Sequence, residues 1–338
     1  MKTLFDKTNI GNMKLKNRFI RAAVHEKIQD GCINDNTLKS YKELAQGGAG
    51  TLITGFTLVD KAEKAFPLMA CYNDSFLEGH KRLTNIVHEN DANIILQLVY
   101  VGSYIMGDAS GMTILAPSVV ENLNVKVVPQ EITIGQIKKI QEKFSIAALR
   151  AKNAGYDGIE IHAAHGFLLS QFMTPYYNRR TDIYGGSTEN RARMSLETYD
   201  MIRQSVGDDF PILIKINVND GFNGEVLFED VLYLCRKLTE KNIDAIEISG
   251  GWQKLTRDST SYFKKEAEVI ASENDAKIIM TGGNVNFDEM TNILNTTKIE
   301  YFGMARALMK DRALINTFEK QYRQIATSRL SGEEPAKN

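Results

Sequence analysis

Hydrophobic and polar positions alternate between two periods along the chain. Short runs rich in β-branched and aliphatic residues occur at Arg18–Ala23, Gly50–Thr54, Ile94–Val99, Gly158–His162, Pro211–Asn217, Ala245–Ser249, Lys277–Thr281 and Ile299–Met304. Between them, apolar residues recur three and four apart at 36–46, 75–89, 135–153, 189–205, 227–241, 262–273, 287–295 and 311–325. That spacing marks helices with one buried face. Alternation of strand and helix predicts parallel strands joined by crossover helices. An unbroken series of eight such pairs favours a closed (β/α)8 barrel, an α/β fold in a single domain. An open, doubly wound sheet satisfies the same periodicity.

Two connections break the rhythm, at 100–133 and 163–188. Connections of that length without regular structure are uncommon unless functional. Both follow strand C-termini, the face on which such barrels carry their active sites. The expected layout is a barrel over 1–327 and a polar tail over 328–338.

The period of two within strands sorts side chains by face. In Gly158-Ile-Glu-Ile-His162, Glu160 and His162 oppose Ile159 and Ile161. In Ile212-Leu-Ile-Lys-Ile-Asn217, Leu213, Lys215 and Asn217 oppose three isoleucines. Gln97 opposes Leu96 and Leu98, and Glu247 and Ser249 oppose Ile246 and Ile248. The aliphatic faces should meet the helices, leaving Gln97, His162, Lys215 and Ser249 to converge at comparable heights near the barrel mouth. Burying so many polar groups is costly unless a ligand or mutual hydrogen bonds satisfy them.

Length and composition narrow the picture. The 338 residues fit one barrel with long loops. An apolar fraction of 43% and a charged fraction of 25% exclude fibrous, coiled-coil and disordered chains. The net charge of −1, spread evenly, gives no footprint for nucleic acid. Cys32, Cys71 and Cys235 are too few and too scattered for a disulfide framework, a zinc site or an iron–sulfur cluster. Charge interrupts Met1-Lys-Thr-Leu-Phe-Asp6, so no signal peptide is read, and no run has the length of a membrane span. A cytoplasmic protein with a small-molecule substrate, and without nucleic-acid or membrane partners, is expected.

Three groups of residues carry candidate chemistry. His162 and His165 could donate two N–H bonds to one oxygen and so polarise a carbonyl. They could also be a structural pair, or bind metal, although no third ligand stands at a helpful spacing. Lys215 could face an anionic cofactor, form a Schiff base, or close a core ion pair with Glu160 or Glu247. Thr281-Gly-Gly-Asn284 and Gly303-Met-Ala-Arg306 follow the last two strands, where barrels often bind phosphate.

Longer motifs surround these residues. They are Leu4-Phe5, Ile10-Gly11 and Leu15-Lys-Asn-Arg-Phe19; Glu160-Ile-His-Ala-Ala-His-Gly166; and Thr174-Pro175, Asn178-Arg-Arg-Thr-Asp182, Tyr184-Gly-Gly-Ser187 and Glu189-Asn-Arg191. With them the chain resembles the old yellow enzyme family of FMN-dependent NAD(P)H oxidoreductases, over about residues 3–325. It is most like the bacterial branch that includes the barrel domain of 2,4-dienoyl-CoA reductase. The resemblance implies a barrel with FMN on its C-terminal face and NAD(P)H as co-substrate. It implies that Ala22, Ala23, Val24 and His25 line the isoalloxazine, with Phe56 beside it. Gln97 would bond the pyrimidine edge, and Lys215 would sit near N1 and the C2 oxygen. Gly283, Asn284, Ala305 and Arg306 would hold the phosphate. His162 and His165 would bind the oxygen of an α,β-unsaturated substrate, with Tyr100 and Phe167 in the substrate pocket. A cation near N1 favours the negatively charged reduced flavin. Relatives are often oligomeric, so a homo-oligomer is implied.

The chain departs from the family pattern in places. Many relatives carry a proton-donating Tyr where this chain has Phe167, which leaves Tyr100, Tyr104, Tyr176, Tyr177 or water as donors. Arg21-Ala-Ala-Val-His25 stands where many have Pro and Met, and Ala305 replaces a frequent Gly. No cysteine follows Cys235, so no iron–sulfur cluster is expected and hydride should pass directly from nicotinamide to FMN. The reading is an ene reductase (EC 1.-). Its rivals are a related flavoenzyme acting on amines or quinones, a flavin-binding protein of low turnover, and a Schiff-base aldolase using Lys215. Trp252, after Ser249-Gly-Gly, could contact substrate or pack. The sequence does not specify the substrate or a preference between NADH and NADPH.

Overall fold

The computed structural model describes residues 1–63, 67–105, 110–251 and 260–331. The chain opens with a hairpin of β1 (Thr8–Ile10) and β2 (Met13–Leu15), followed by β3 (Phe19–Arg21), α1 (Asp35–Gln46) and β4 (Thr51–Ile53). Next come the short β5 (Thr57–Leu58) and β6 (Met69–Ala70), α2 (Leu77–His88), β7 (Asn93–Val99), and the short β8 (Leu115–Ala116) and β9 (Gln130–Glu131). Then follow α3 (Ile134–Asn153), β10 (Gly158–Ala163), α4 (Leu168–Met173), α5 (Thr188–Val206), β11 (Ile212–Asn217), α6 (Phe228–Glu240) and β12 (Ala245–Ser249). The chain finishes with α7 (Lys264–Glu273), β13 (Lys277–Thr281), α8 (Phe287–Thr296), β14 (Tyr301–Met304), α9 (Arg306–Lys310) and α10 (Leu314–Ser331).

Strands β10, β11, β12, β13, β14, β3, β4 and β7 are neighbours in that order, all parallel, and β10 also pairs with β7. That last pairing closes the ring and excludes the open sheet. The outward faces build the main core: Ile212, Ile214 and Ile216, Leu96 and Leu98, and Ile246 and Ile248 all pack under the helices. Burying each such side chain contributes about 1.5–3 kcal/mol. The inward face begins with a separate apolar layer of Ile20, Ile53, Ile95, Leu213, Ala245, Ile279 and Tyr301.

The hairpin seals the floor of this layer with Ile10, Met13 and Leu15. Gly11, at φ +52, makes the turn; a Cβ there would lie 2.2 Å from Asp244 Oδ1. The first strand is shorter than its pattern suggests. The helix expected over 311–325 is α10, which runs on to Ser331 and takes in the start of the expected tail, while the short α9 precedes it. The rest of that tail lies outside the described residues.

The long segment after β10 contains α4, and polar side chains fasten the remainder. Asn178 Nδ2 donates to the carbonyls of Phe172 and Tyr184. Arg180 Nη1 donates to the carbonyls of Pro117 and Ile132, so the two long loops are tied to each other. Arg191 pairs with Asp230 on α6, which is fully buried. Ser187 caps α5 by accepting from Asn190 N. This dense motif is therefore a structural clamp that fastens one long loop to the other and to α6.

Candidate active site

Above the apolar layer the inward side chains turn polar. The ladder places Gln97 opposite Glu160, His162 opposite Lys215, Lys215 opposite Glu247, and Asn217 opposite Ser249. Gln97 and Ser249 thus do not share a row with His162 and Lys215, as the alternation alone suggested. Two glutamates fill the centre instead. Lys215 Nζ donates to Glu247 Oε1 at 2.6 Å, and Gln97 Nε2 donates to Glu160 Oε2 at 2.5 Å. The core ion pair is real, and it uses Glu247. An ammonium held in that pair is not the free amine that a Schiff base requires.

His162 ends the run of inward residues on β10 and is 1% exposed. Ala164 N–H donates to its Nδ1 at 3.3 Å, so in the neutral ring Nε2 carries the proton. His165 has a left-handed backbone, φ +58. For a residue other than glycine this conformation is strained and persists only where its surroundings impose it. Asn217 does so: its Oδ1 accepts from His165 N at 3.2 Å, and its Nδ2 is committed to Asp220 Oδ1 at 2.6 Å. His165 Nε2 lies 3.0 Å from Ser249 Oγ. The two rings stand 5.1 Å apart, nearly perpendicular. Burial, with repulsion from Lys215, pushes His165 down to about 3. Burial, then His165 and Lys215, hold His162 well below its ordinary value. At neutral pH both rings are uncharged.

An aromatic wall adjoins the pair. The His25 ring stacks on Phe56 at 5.4 Å; Phe56 meets Phe167 at 5.3 Å and His162 at 5.7 Å. Phe167 is fully buried and also touches Tyr104, ring centroids 5.6 Å apart. Tyr100 instead packs in the outer core beneath the helices. Tyr176 and Tyr177 cluster with Phe222. Of the four tyrosines, Tyr104 is the one whose ring meets Phe167.

The segment Ala22–His25 leaves β3 beside β14, with Ala22 N donating to Met304 O. It is pinned at both ends by Arg21, whose Nη2 bonds Glu26 Oε1 at 2.6 Å and whose Nη1 bonds Ile53 O at 2.5 Å. Ala22 is buried, while Ala23, Val24 and His25 are half-buried. Burial and the Lys27 charge lower the His25 imidazole, keeping it neutral.

After β13, Gly282 and Gly283 take φ +132 and +75. A Cβ on Gly283 would lie 2.8 Å from Ser261 N. Asn284 Nδ2 donates to the carbonyls of Met280 and Gly303, tying the two last strand ends together. Ala305 is half-buried and Arg306 exposed at the start of α9. Gln97 Oε1, Thr281 Oγ1 and Asn284 Oδ1 are buried without a hydrogen-bond partner. Trp252 lies outside the described residues. Among the described residues no group of three His, Cys, Asp or Glu could hold a metal ion, and no helix is long and apolar enough to cross a membrane.

Paired imidazoles, an ion-paired lysine and a glycine turn thus gather on the C-terminal face of one closed barrel. The NADH:flavin oxidoreductase / NADH oxidase family model matches residues 3–324, and the chain belongs to that family. A metal reductase of Desulforamulus reducens is 31% identical over 330 residues, covering 94% of this chain and 48% of the relative. An NADPH dehydrogenase of Bacillus subtilis is 30% identical, covering 94% of each chain. The structure of a 2-naphthoyl-CoA reductase complex superposes with a TM-score of 0.89 at 26% identity, covering 94% of this chain and 52% of that one. The chain thus spans about half the length of the metal reductase and of the naphthoyl-CoA reductase.

Proposed function

We propose that the chain is an FMN-dependent oxidoreductase that passes hydride from NAD(P)H to an activated alkene, such as an α,β-unsaturated carbonyl compound. The observation that carries this reading is the perpendicular pair of neutral imidazoles, His162 and His165, with His162 in the row of buried Lys215 and Gln97 in the row of Glu160 below. The residues fit the cofactor. Gln97 Oε1, buried and lacking a donor, suits a ring N–H. Lys215 would supply positive charge at the pyrimidine edge. The Gly282–Gly283 turn exposes backbone where a phosphate can approach, with Asn284, Ala305 and Arg306 around it. Ala22, Ala23, Val24, His25 and Phe56 would flank the ring.

When bound, FMN supplies the hydride chemistry. The chain's part is to bind and polarise the acceptor. Two N–H donors on one carbonyl oxygen draw density from a conjugated alkene and stabilise the enolate that forms as its β-carbon is attacked. Phe167 has no proton to give to the α-carbon, and Tyr104, which packs against it, is the donor on this reading.

Anaerobic mixing tests the whole reading. The purified protein, loaded with FMN, should be bleached by NADH or NADPH and recoloured by cyclohexenone. A protein that takes up no FMN would overturn it. Bleaching that no enone reverses would favour the amine or quinone reading, which the loss of tyrosine at Phe167 motivates. Tyr104→Phe should lower enone turnover by about 10²-fold, the lower end of what a placed proton donor contributes. Bleaching by NAD(P)H should be unchanged. Equal enone turnover would assign the proton to water.

A further inference from the structure

Two carboxyl groups and one cation occupy the centre of the barrel. Glu160 and Glu247 are fully buried and Lys215 is 2% exposed. Lys215 bonds Glu247 Oε1, and Gln97 bonds Glu160 Oε2. The two other oxygens, Glu160 Oε1 and Glu247 Oε2, find no donor. The two carboxyls come from the strands on either side of Lys215, β10 and β12, and each acts on the other's charge. Two ionised carboxylates there would leave one buried charge uncompensated, and like charges this close cannot both ionise cheaply. One proton between them satisfies both oxygens and leaves the cluster neutral.

We propose that Glu160 and Glu247 share one proton at the barrel centre, and that this pair, acting through Lys215, fixes the charge sensed at the flavin's pyrimidine edge. The second half rests on the flavin reading above. Glu160 and Glu247 are positioning residues, since both act on Lys215.

The surroundings support one proton rather than none or two. Gln97 faces the pair from β7, Lys215 from β11 and Thr281 from β13. His162 and His165 above are neutral. Tyr301 on β14 lies in the layer beneath, its hydroxyl bonded to Asn9 O. Arg21 on β3 turns away to Glu26 and Tyr41. Burial, then the Glu247 charge, push Glu160 well above the ordinary carboxylate range. Burial also works against an ionised Glu247, but Lys215 outweighs it and holds this group below that range.

The arrangement predicts exchange. If Glu247 is neutralised, Glu160 releases its proton to solvent and becomes the counter-ion of Lys215. If Glu160 is neutralised, Glu247 keeps that role. Only the double change leaves the cation unpaired, which favours the negatively charged reduced flavin.

Redox titration and infrared spectroscopy of the FMN-loaded protein test this. Glu160→Gln and Glu247→Gln should each shift the midpoint potential at pH 7 by less than about 30 mV, a tenfold change for a two-electron couple. The double variant should raise it by more than that. The native protein should show the carbonyl stretch of a buried protonated carboxyl, and either single variant should lose it. A rise with Glu160→Gln alone, as large as in the double variant, would show that Glu160 is ionised and overturn the proposal. Absence of the band in the native protein would do the same. A protein that takes up no FMN fails the functional reading and the redox half with it, while the band in flavin-free protein still decides the shared proton.

Discussion

Replacing His162 and His165 together with alanine is expected to lower enone turnover by at least about 10³-fold, with FMN still bound. Removal of one preorganised donor to a developing oxyanion typically costs about 10²–10³ in rate, and here two donors are lost. The geometry gives reason to place the pair on the substrate. Lys215 and Gln97 lie on other strands, at the rows paired with His162 and Glu160. Both rings are also neutral, so each brings a proton without the desolvation cost of a cation. For His162 that proton is on Nε2, because Nδ1 is occupied by Ala164 N–H. Phenolic ligands imitate the enolate and provide a second measurement. Their binding, followed by perturbation of the flavin spectrum, should weaken sharply in the double variant. Loss of FMN instead would assign the pair to the cofactor, and undiminished turnover would remove it from the chemistry.

The barrel and the faces of its strands were largely legible in the residues, because both depend on short-range periodicity. Alternation in Ile212–Asn217 placed Leu213, Lys215 and Asn217 on the inner side, where the structure has them. Depth along the barrel was not legible. It depends on the stagger between neighbouring strands, a relation between distant segments, so Gln97 falls opposite Glu160 rather than His162. The central position of Glu160 and Glu247 is hidden for the same reason, although the alternation puts both on the inner face and makes either a possible partner of Lys215.

The hairpin Thr8–Leu15 was not legible in the sequence pattern, because each strand has three residues, too few to establish a period. Its signal was local: Gly11 between apolar Ile10 and Met13. The segment Thr174–Arg191 shows a different limit. A dense motif marks a constrained structure as readily as a chemical one, and here Asn178, Arg180 and Arg191 spend their donors on backbone carbonyls and buried carboxylates. Tyr104 could not be separated from Tyr100 by pattern. Only the path of the chain after β7 shows that one ring turns under the helices and the other toward Phe167.

Stability should fall steeply between pH 7 and pH 5, before any ordinary carboxylate titrates. Three buried histidines are responsible. His80 accepts from Tyr156 and donates to Ala70 O, and burial pushes it down to about 4. His165 is pushed down to about 3, and His162 also lies well below its ordinary value. In the unfolded chain each takes up a proton near pH 6.5. Below that pH the unfolded state therefore binds more protons than the native state, and stability declines as pH falls. It is fully present above about pH 6.5 and is lost progressively toward pH 4. At pH 5 the loss is about 2 kcal/mol for each of His80 and His165, and His162 adds to it in the same direction. The first two alone approach the lower end of the stability of whole domains. His88 acts in the opposite sense, since its bond to Asp157 raises it, but it is half-exposed and offsets little. Denaturant unfolding at pH 7.5, 6 and 5 measures the slope. His80→Gln should reduce that slope whatever its effect on absolute stability, because one of the titrations is gone. An unchanged slope would show that His80 titrates alike in the folded and unfolded chains.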